Sequence, residues 1–138
     1  MRQQQTILTL ETHGRGLIEI TDEVASWLRE TDIRTGLLSL FCQHTSASLL
    51  VTENVSLAVQ RDLLRWLASA SPEEHDYEHD AEGPDDMPAH IRSVLTGNSL
   101  TLPVADGRIM LGTWQGVFLA EHRTRHHKRT IVAHVMGD

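Results

Sequence analysis

Apolar and polar residues alternate with a period of two over much of this chain, and in three stretches the period becomes that of a helix. "QTILTLETHGRGLIEIT" reads as two short strands around an "HGRG" turn, where the glycines permit positive φ. "TDEVASWLRE" takes helical spacing: Thr21 or Asp22 can cap its start, and Val24, Trp27 and Leu28 share one face. "TGLLSLFCQHTSASLLVTE" is rich in strand formers and predicts two extended segments or one long, bent one. In "NVSLAVQRDLLRWLASA", Leu57, Val59, Leu63, Leu64 and Leu67 keep a helical period until Pro72 ends it. A short helix from about Met87 to Leu95 follows, halted by "TGN". "SLTLPVADGRIML" predicts a strand, an Asp-Gly turn and a returning strand. "GVFLAEHR" and "RTIVAHVM" predict a hairpin whose tip is "HRTRHHKR".

No repeat, low-complexity stretch or linker interrupts this pattern. It predicts one α+β domain over residues 1–138, a largely antiparallel sheet with two or three helices. A chain of 138 residues can bury a core without disulfides or a structural metal. The lone cysteine, Cys42, lies in the apolar run "LLSLFCQ" and reads as a small buried hydrophobe. No segment reaches membrane-spanning length and "MRQQQTILTL" lacks a signal peptide's apolar stretch, so a cytoplasmic protein with no membrane partner is expected.

The net charge of −7 argues against a nucleic-acid binder, which would carry a basic face. That charge is unevenly placed. Glu73, Glu74, Asp76, Glu78, Asp80, Glu82, Asp85 and Asp86 crowd one stretch, and "HRTRHHKR" opposes it at residues 122–129. An acidic loop and a basic loop suit a cation and an anion respectively, or they are two solvated surfaces.

Three stretches hold residue types that do chemistry. The acidic one carries His75 and His79, with His90 just beyond; imidazole and carboxylate are the usual ligands of zinc and related ions, although no short fixed ligand motif is present. In "QHTSASLLVTEN", His44 ends an apolar strand and Thr45, Ser46 and Ser48 follow, with Glu53 and Asn54 beyond. Hydroxyls and backbone N–H groups at a strand end can hold phosphate oxygens while a histidine moves a proton. A Ser-His nucleophilic pair is weakened by the absence of a nucleophile elbow, and by the opposite facing of strand neighbours. In "LGTWQGVFLAEH", Gly112 and Gly116 flank Thr113, Trp114 and Gln115. That pattern predicts either close backbone approach to a ligand or a strand corner with Trp114 in the core.

"HTSASLLVTEN", "DLLRWL", "YEHDAEGPDDMPAHIRSVLTGNSLTLPVADGRIMLGTWQGVFLAEHR" and "RTIVAHVMGD" together cover nearly the whole chain from about residue 36. In these runs the chain resembles the YjbQ family of small bacterial and archaeal proteins, also called secondary thiamine-phosphate synthases; earlier residues match in general pattern only. The resemblance implies a homotrimer of single α+β domains, with a site built from the histidine-bearing segments near a subunit interface. It also implies weak joining of the pyrimidine and thiazole halves of thiamine phosphate. By motif position His44, His79 and His90 fall on the family's site histidines, and Asp86, Thr113 and Gln115 on its polar positions. His75 has no counterpart there, and the basic stretch lies where the family varies.

Such a reaction displaces pyrophosphate from hydroxymethylpyrimidine diphosphate, and the thiazole nitrogen attacks the cationic carbon left behind. It needs charge stabilisation of the leaving group, commonly from a divalent metal. The expectation is zinc or magnesium on His44, His79 and His90, catalysis by His44, Asp86 and Glu53, and ligand contacts from Ser46, Ser48, Thr113, Gln115 and Arg123. No Asp-rich pyrophosphate motif is present, in keeping with a weak activity. Two alternatives stay open: a trimeric metal- or anion-binding protein with incidental synthase activity, and a metal-dependent hydrolase of a phosphorylated metabolite with Glu53 or Asp86 as base.

Overall fold

Strands that follow one another in the chain mostly belong to different sheets. The computed structural model describes residues 1–138 as eight strands and three helices. In chain order these are β1 (Arg2–His13), β2 (Gly16–Glu19), α1 (Thr21–Thr31), β3 (Gly36–Cys42), β4 (Ala47–Glu53), α2 (Leu57–Ala70), α3 (Asp86–Thr96), β5 (Ser99–Ala105), β6 (Arg108–Ile109), β7 (Gln115–Glu121) and β8 (His126–Gly137). A five-stranded sheet has the order β1-β8-β3-β5-β6 and a three-stranded one the order β2-β7-β4. Every pairing is antiparallel. This is an α+β domain of the expected class.

The alternation explains the layering. Leu38, Leu40 and Cys42 of β3, with Ile131, Ala133 and Val135 of β8, turn inward from one sheet; Leu49 of β4, with Val117 and Leu119 of β7, meets them from the other. Val24 and Leu28 of α1 join the same core. Cys42 is 1% exposed and is the small buried hydrophobe expected of it. No helix is long and apolar enough to cross a membrane.

Two hairpin expectations are corrected. β1 is a 12-residue strand that pairs with β8, whereas β2 pairs with β7. Likewise β7 and β8, expected as one hairpin, lie in separate sheets. Crossing between layers lets consecutive apolar faces oppose each other across one core, where a hairpin would set them side by side. The Asp-Gly hairpin is present as expected: Asp106 and Gly107 take φ of 51° and 74° between β5 and β6, the positive values of a tight two-residue turn.

The crossings share one end of the sandwich. His13 is opposite His126, Cys42 is opposite Ile131, and Glu121 is opposite both Gly16 and Ala47. The corners at residues 14–15, 43–46 and 122–125 therefore converge there, and the loop before α3 packs against them. α2 behaves differently. Its helical period is clear, yet only Leu67 is buried, while Leu57, Leu63 and Trp66 stay exposed.

Candidate functional site

α3 begins at Asp86, with Pro88 in its first turn, where a missing N–H costs nothing. Asp86 and His90 are one turn apart and so share a face. Ser93 Oγ donates to the Ala47 carbonyl at 3.3 Å, and Leu49 N–H donates to the Gly97 carbonyl at 3.0 Å. These bonds hold α3 along the free edge of β4. They also turn the Asp86–His90 face toward the converging corners.

There the ligand atoms of His79, Glu82, Asp86 and His90 all lie within 4.8 Å of one another. His79 Nε2 is 2.9 Å and His90 Nε2 3.2 Å from the same oxygen, Asp86 Oδ2. Glu82 Oε2 is 3.6 Å from His79 Nε2. The other Asp86 oxygen accepts from Arg123 Nη1 at 2.7 Å. Arg123 also donates through Nε to Asp85 Oδ2 at 2.9 Å and through Nη2 to the Glu82 carbonyl at 3.0 Å. Burial opposes ionisation of Asp86, but the His79 hydrogen bond and the charges of His90 and Arg123 outweigh it and hold the carboxyl below its ordinary range. At Asp85 burial is likewise outweighed, there by bonds from Arg123 and Thr124.

The proton on His90 can be placed. Its Nδ1 is 2.8 Å from the Thr45 carbonyl, which only accepts, so Nδ1 carries the proton. In the neutral ring Nε2 then presents a lone pair to a carboxylate oxygen 3.2 Å away. Two lone pairs repel; a cation between them, or a second ring proton, turns the contact into attraction. Two imidazoles and two carboxylates are a donor set that suits zinc, and a carbonyl-anchored Nδ1–H is the usual outer contact of a ligating histidine.

Beside His90 opens a pocket of about 520 Å³ lined by His44, Thr45, His90, Ser93, Val94, Gly97 and Asn98. That volume is in the range of small-molecule sites. His44 enters it from the corner after β3, with Nε2 accepting from Thr130 N–H at 2.8 Å.

Of the residues expected from sequence, His79, Asp86 and His90 come together, and His44 borders the adjoining pocket without joining the cluster. Ser46 and Ser48 are 8% and 0% exposed: the first accepts from Arg129, and the second bonds Thr96 Oγ1 and His122 Nε2. Neither presents a hydroxyl to the pocket. The Arg123 guanidinium is engaged by Asp85, Asp86 and Glu82, so it steers the Asp86 carboxylate in place of touching phosphate. Glu53 pairs with Gln115 at the opposite end of β4 and β7, six residues or about 20 Å from the Ala47 end. Glu53 Oε2 there accepts from the backbone N–H groups of Val55 and Ser56 at the start of α2. Gln115 Oε1 accepts from Gly112 N–H, Thr113 lies in the same remote turn, and Trp114 is exposed rather than in the core. A Cβ at Gly116 would strike Glu19 and Asn54, which is why glycine stands there. His75 stacks near Tyr77 and stays outside the cluster. The basic stretch is not a loose tip: His126, His127 and Lys128 are strand residues opposite His13, Thr12 and Glu11.

Sequence reasoning passed over Glu82 as a ligand and Thr45 as the anchor of His90. The spacing of His79, Glu82, Asp86 and His90, in steps of three, four and four, carried that signal. It also missed His122, 1% exposed and bonded through Nε2 to the Ser48 hydroxyl. Burial first, then the nearby Arg92 charge, pushes His122 down to about 4 from 6.5. The unfolded chain therefore takes up this proton below pH 6.5, and the folded one only near 4. Stability is expected to fall by up to about 3 kcal/mol as pH drops through that window. Urea midpoints for wild type and His122→Gln should converge across it; parallel pH profiles would exclude His122 as the cause.

The family described as UPF0047 protein YjbQ-like matches residues 6–138. A UPF0047 protein of Synechocystis is 46% identical over 138 residues, covering 99% of this chain and 94% of that protein. UPF0047 protein YjbQ of Escherichia coli O157:H7 is 46% identical over 135 residues, covering 97% and 98%. Among solved structures, an uncharacterized conserved protein of the yjbq/upf0047 family from Clostridium acetobutylicum superposes with a TM-score of 0.88 at 31% identity, covering 95% of this chain and 99% of that one.

Proposed function

The chain belongs to the UPF0047 YjbQ-like family, and from that premise we propose that it is a metal-assisted transferase acting on phosphorylated thiamine precursors. The observation that carries the metal part is His90, with its proton committed to Thr45 and its other nitrogen aimed at Asp86. His79, Asp86 and His90, with Glu82 beside them, would hold a divalent cation, whose charge favours departing pyrophosphate. Without it the acidic loop would repel that anion. Arg123 keeps the Asp86 carboxylate turned to the histidines, and the pocket next to His90 receives the heterocycle. The resemblance of the long run from Tyr77 to Arg123 supports the choice of thiamine precursors.

The chain acts, on this reading, as a homotrimer. Leu57, Leu63 and Trp66 of α2, and Trp114 in the turn before β7, leave apolar surface that a partner copy would cover. Thr113 and Gln115, remote from the cluster within one chain, would reach a site only across such a contact. Sedimentation showing only monomer at micromolar concentration would remove that clause.

Incubation with hydroxymethylpyrimidine diphosphate and thiazole phosphate is expected to release pyrophosphate slowly and yield thiamine phosphate. A chelator should cut the rate at least about tenfold, with recovery on adding zinc or magnesium. Full activity after chelation would move the histidines to proton transfer. No product at all would end the thiamine assignment.

A further inference from the structure

We propose that His44 is a neutral hydrogen-bond donor of the pocket, offering Nδ1–H to an acceptor atom of the bound substrate, and is neither a metal ligand nor a base. This rests on the pocket beside His90 being the substrate site. The backbone N–H of Thr130 lies 2.8 Å from His44 Nε2, and an amide N–H can only donate. The Nε2 lone pair is therefore spent, and the ring proton sits on Nδ1. A base would have to take its proton on Nε2, against that N–H. A metal bound through Nε2 would need the same lone pair.

The donor cannot easily move away. Thr130 sits in β8, opposite Thr9 of β1, and its carbonyl accepts from Gln43 N–H at 3.2 Å, immediately before His44. The sheet thus sets both the amide and the ring. Burial first, then Arg129 and His127 on β8, disfavours a charged ring, and Glu121 on β7 opposes them without prevailing. No protein group bonds Nδ1, while the ring borders the pocket. The other polar residues lining the space are Thr45, His90, Ser93 and Asn98, and no lysine or arginine is among them. An acceptor recognised by neutral donors is either a phosphate oxygen or a ring nitrogen of the heterocycle.

Two amide substitutions separate the roles. His44→Asn places an amide nitrogen where Nδ1 stands; His44→Gln can accept from Thr130 but has no donor there. Inorganic pyrophosphate and unphosphorylated hydroxymethylpyrimidine serve as probes on zinc-loaded protein. Affinity for one of them should fall about tenfold in His44→Gln and recover in His44→Asn, a single hydrogen bond's worth, with the affected probe naming the acceptor. Zinc affinity should stay unchanged in both variants. Nitrogen-15 spectra of metal-free wild type should show a neutral Nδ1–H ring from pH about 7 to about 8. An Nε2–H ring, an imidazolium in that range, weaker zinc binding in His44→Gln, or no change for either probe would overturn the proposal. Failure of wild type to bind zinc, with the Nδ1–H ring intact, would instead count against the metal reading.

Discussion

Zinc is expected to bind chelator-stripped wild type once per chain, and His90→Ala to weaken that binding by about a hundredfold or more. Removing an outer contact of a metal ligand already costs about 10- to 100-fold, and loss of the ligand itself should exceed that. The choice of His90 follows from its surroundings. Its side chain is 28% exposed and touches the Thr45 carbonyl and Asp86, so alanine leaves no core cavity. Fold and melting temperature should survive while affinity falls. Asp86→Asn tests the other side of the pair, since an amide keeps the volume but loses the charge that both imidazoles face. Calorimetric titration decides the matter. Equal zinc affinity in wild type and His90→Ala would reduce the cluster to histidine–carboxylate pairs tied together by Arg123.

The largest loss of stability is expected for Arg129→Met, about 3–5 kcal/mol, because it strands a buried carboxylate. Glu121 and Arg129 are 1% and 3% exposed. Arg129 donates to Glu121 through Nε at 2.7 Å and through Nη2, and Nη2 also bonds Ser46 Oγ at 3.0 Å. The Thr12 hydroxyl and the Arg123 backbone N–H also donate to the Glu121 carboxylate. Residues from β1, β7, β8 and the corner before β4 thus meet in one polar knot under the site. Burial opposes ionisation of Glu121, yet the bonds from Arg129 and Thr12 outweigh it and hold the carboxyl below its ordinary range. Its contribution is therefore present above the ordinary carboxylate range and lost as pH falls through the lowered value. For a chain of this size the melting temperature should drop by roughly 10–15 °C. Pairing Arg129→Met with Glu121→Leu should recover much of the loss, because no charge then remains buried. A single variant that melts within about 2 °C of wild type would show that the knot carries little of the fold.

Local signals determined much of what is present. The Asp106–Gly107 turn follows from which residues tolerate positive φ, and the strands from alternation. Asp86 and His90, four apart in a helical stretch, had to share a face. The long run ending at Arg123 was enough for family membership. Partners were not legible. Alternation records which face a side chain takes, not which strand lies beside it, so the two expected hairpins became crossings between sheets. α2 has the period of a buried helix, but whether that face is covered depends on elements far along the chain. By residue type Glu53 suits catalysis and Arg123 suits phosphate, yet the first bonds the start of α2 and the second holds Asp86. His44 shows the reason most plainly. Its residue type permits a ligand, a base or a donor, and the choice falls to the N–H of Thr130, 86 residues away. Short-range sterics fix side-chain direction from neighbouring residues alone, whereas a hydrogen-bond partner is set by the register of strands that only the folded chain brings together.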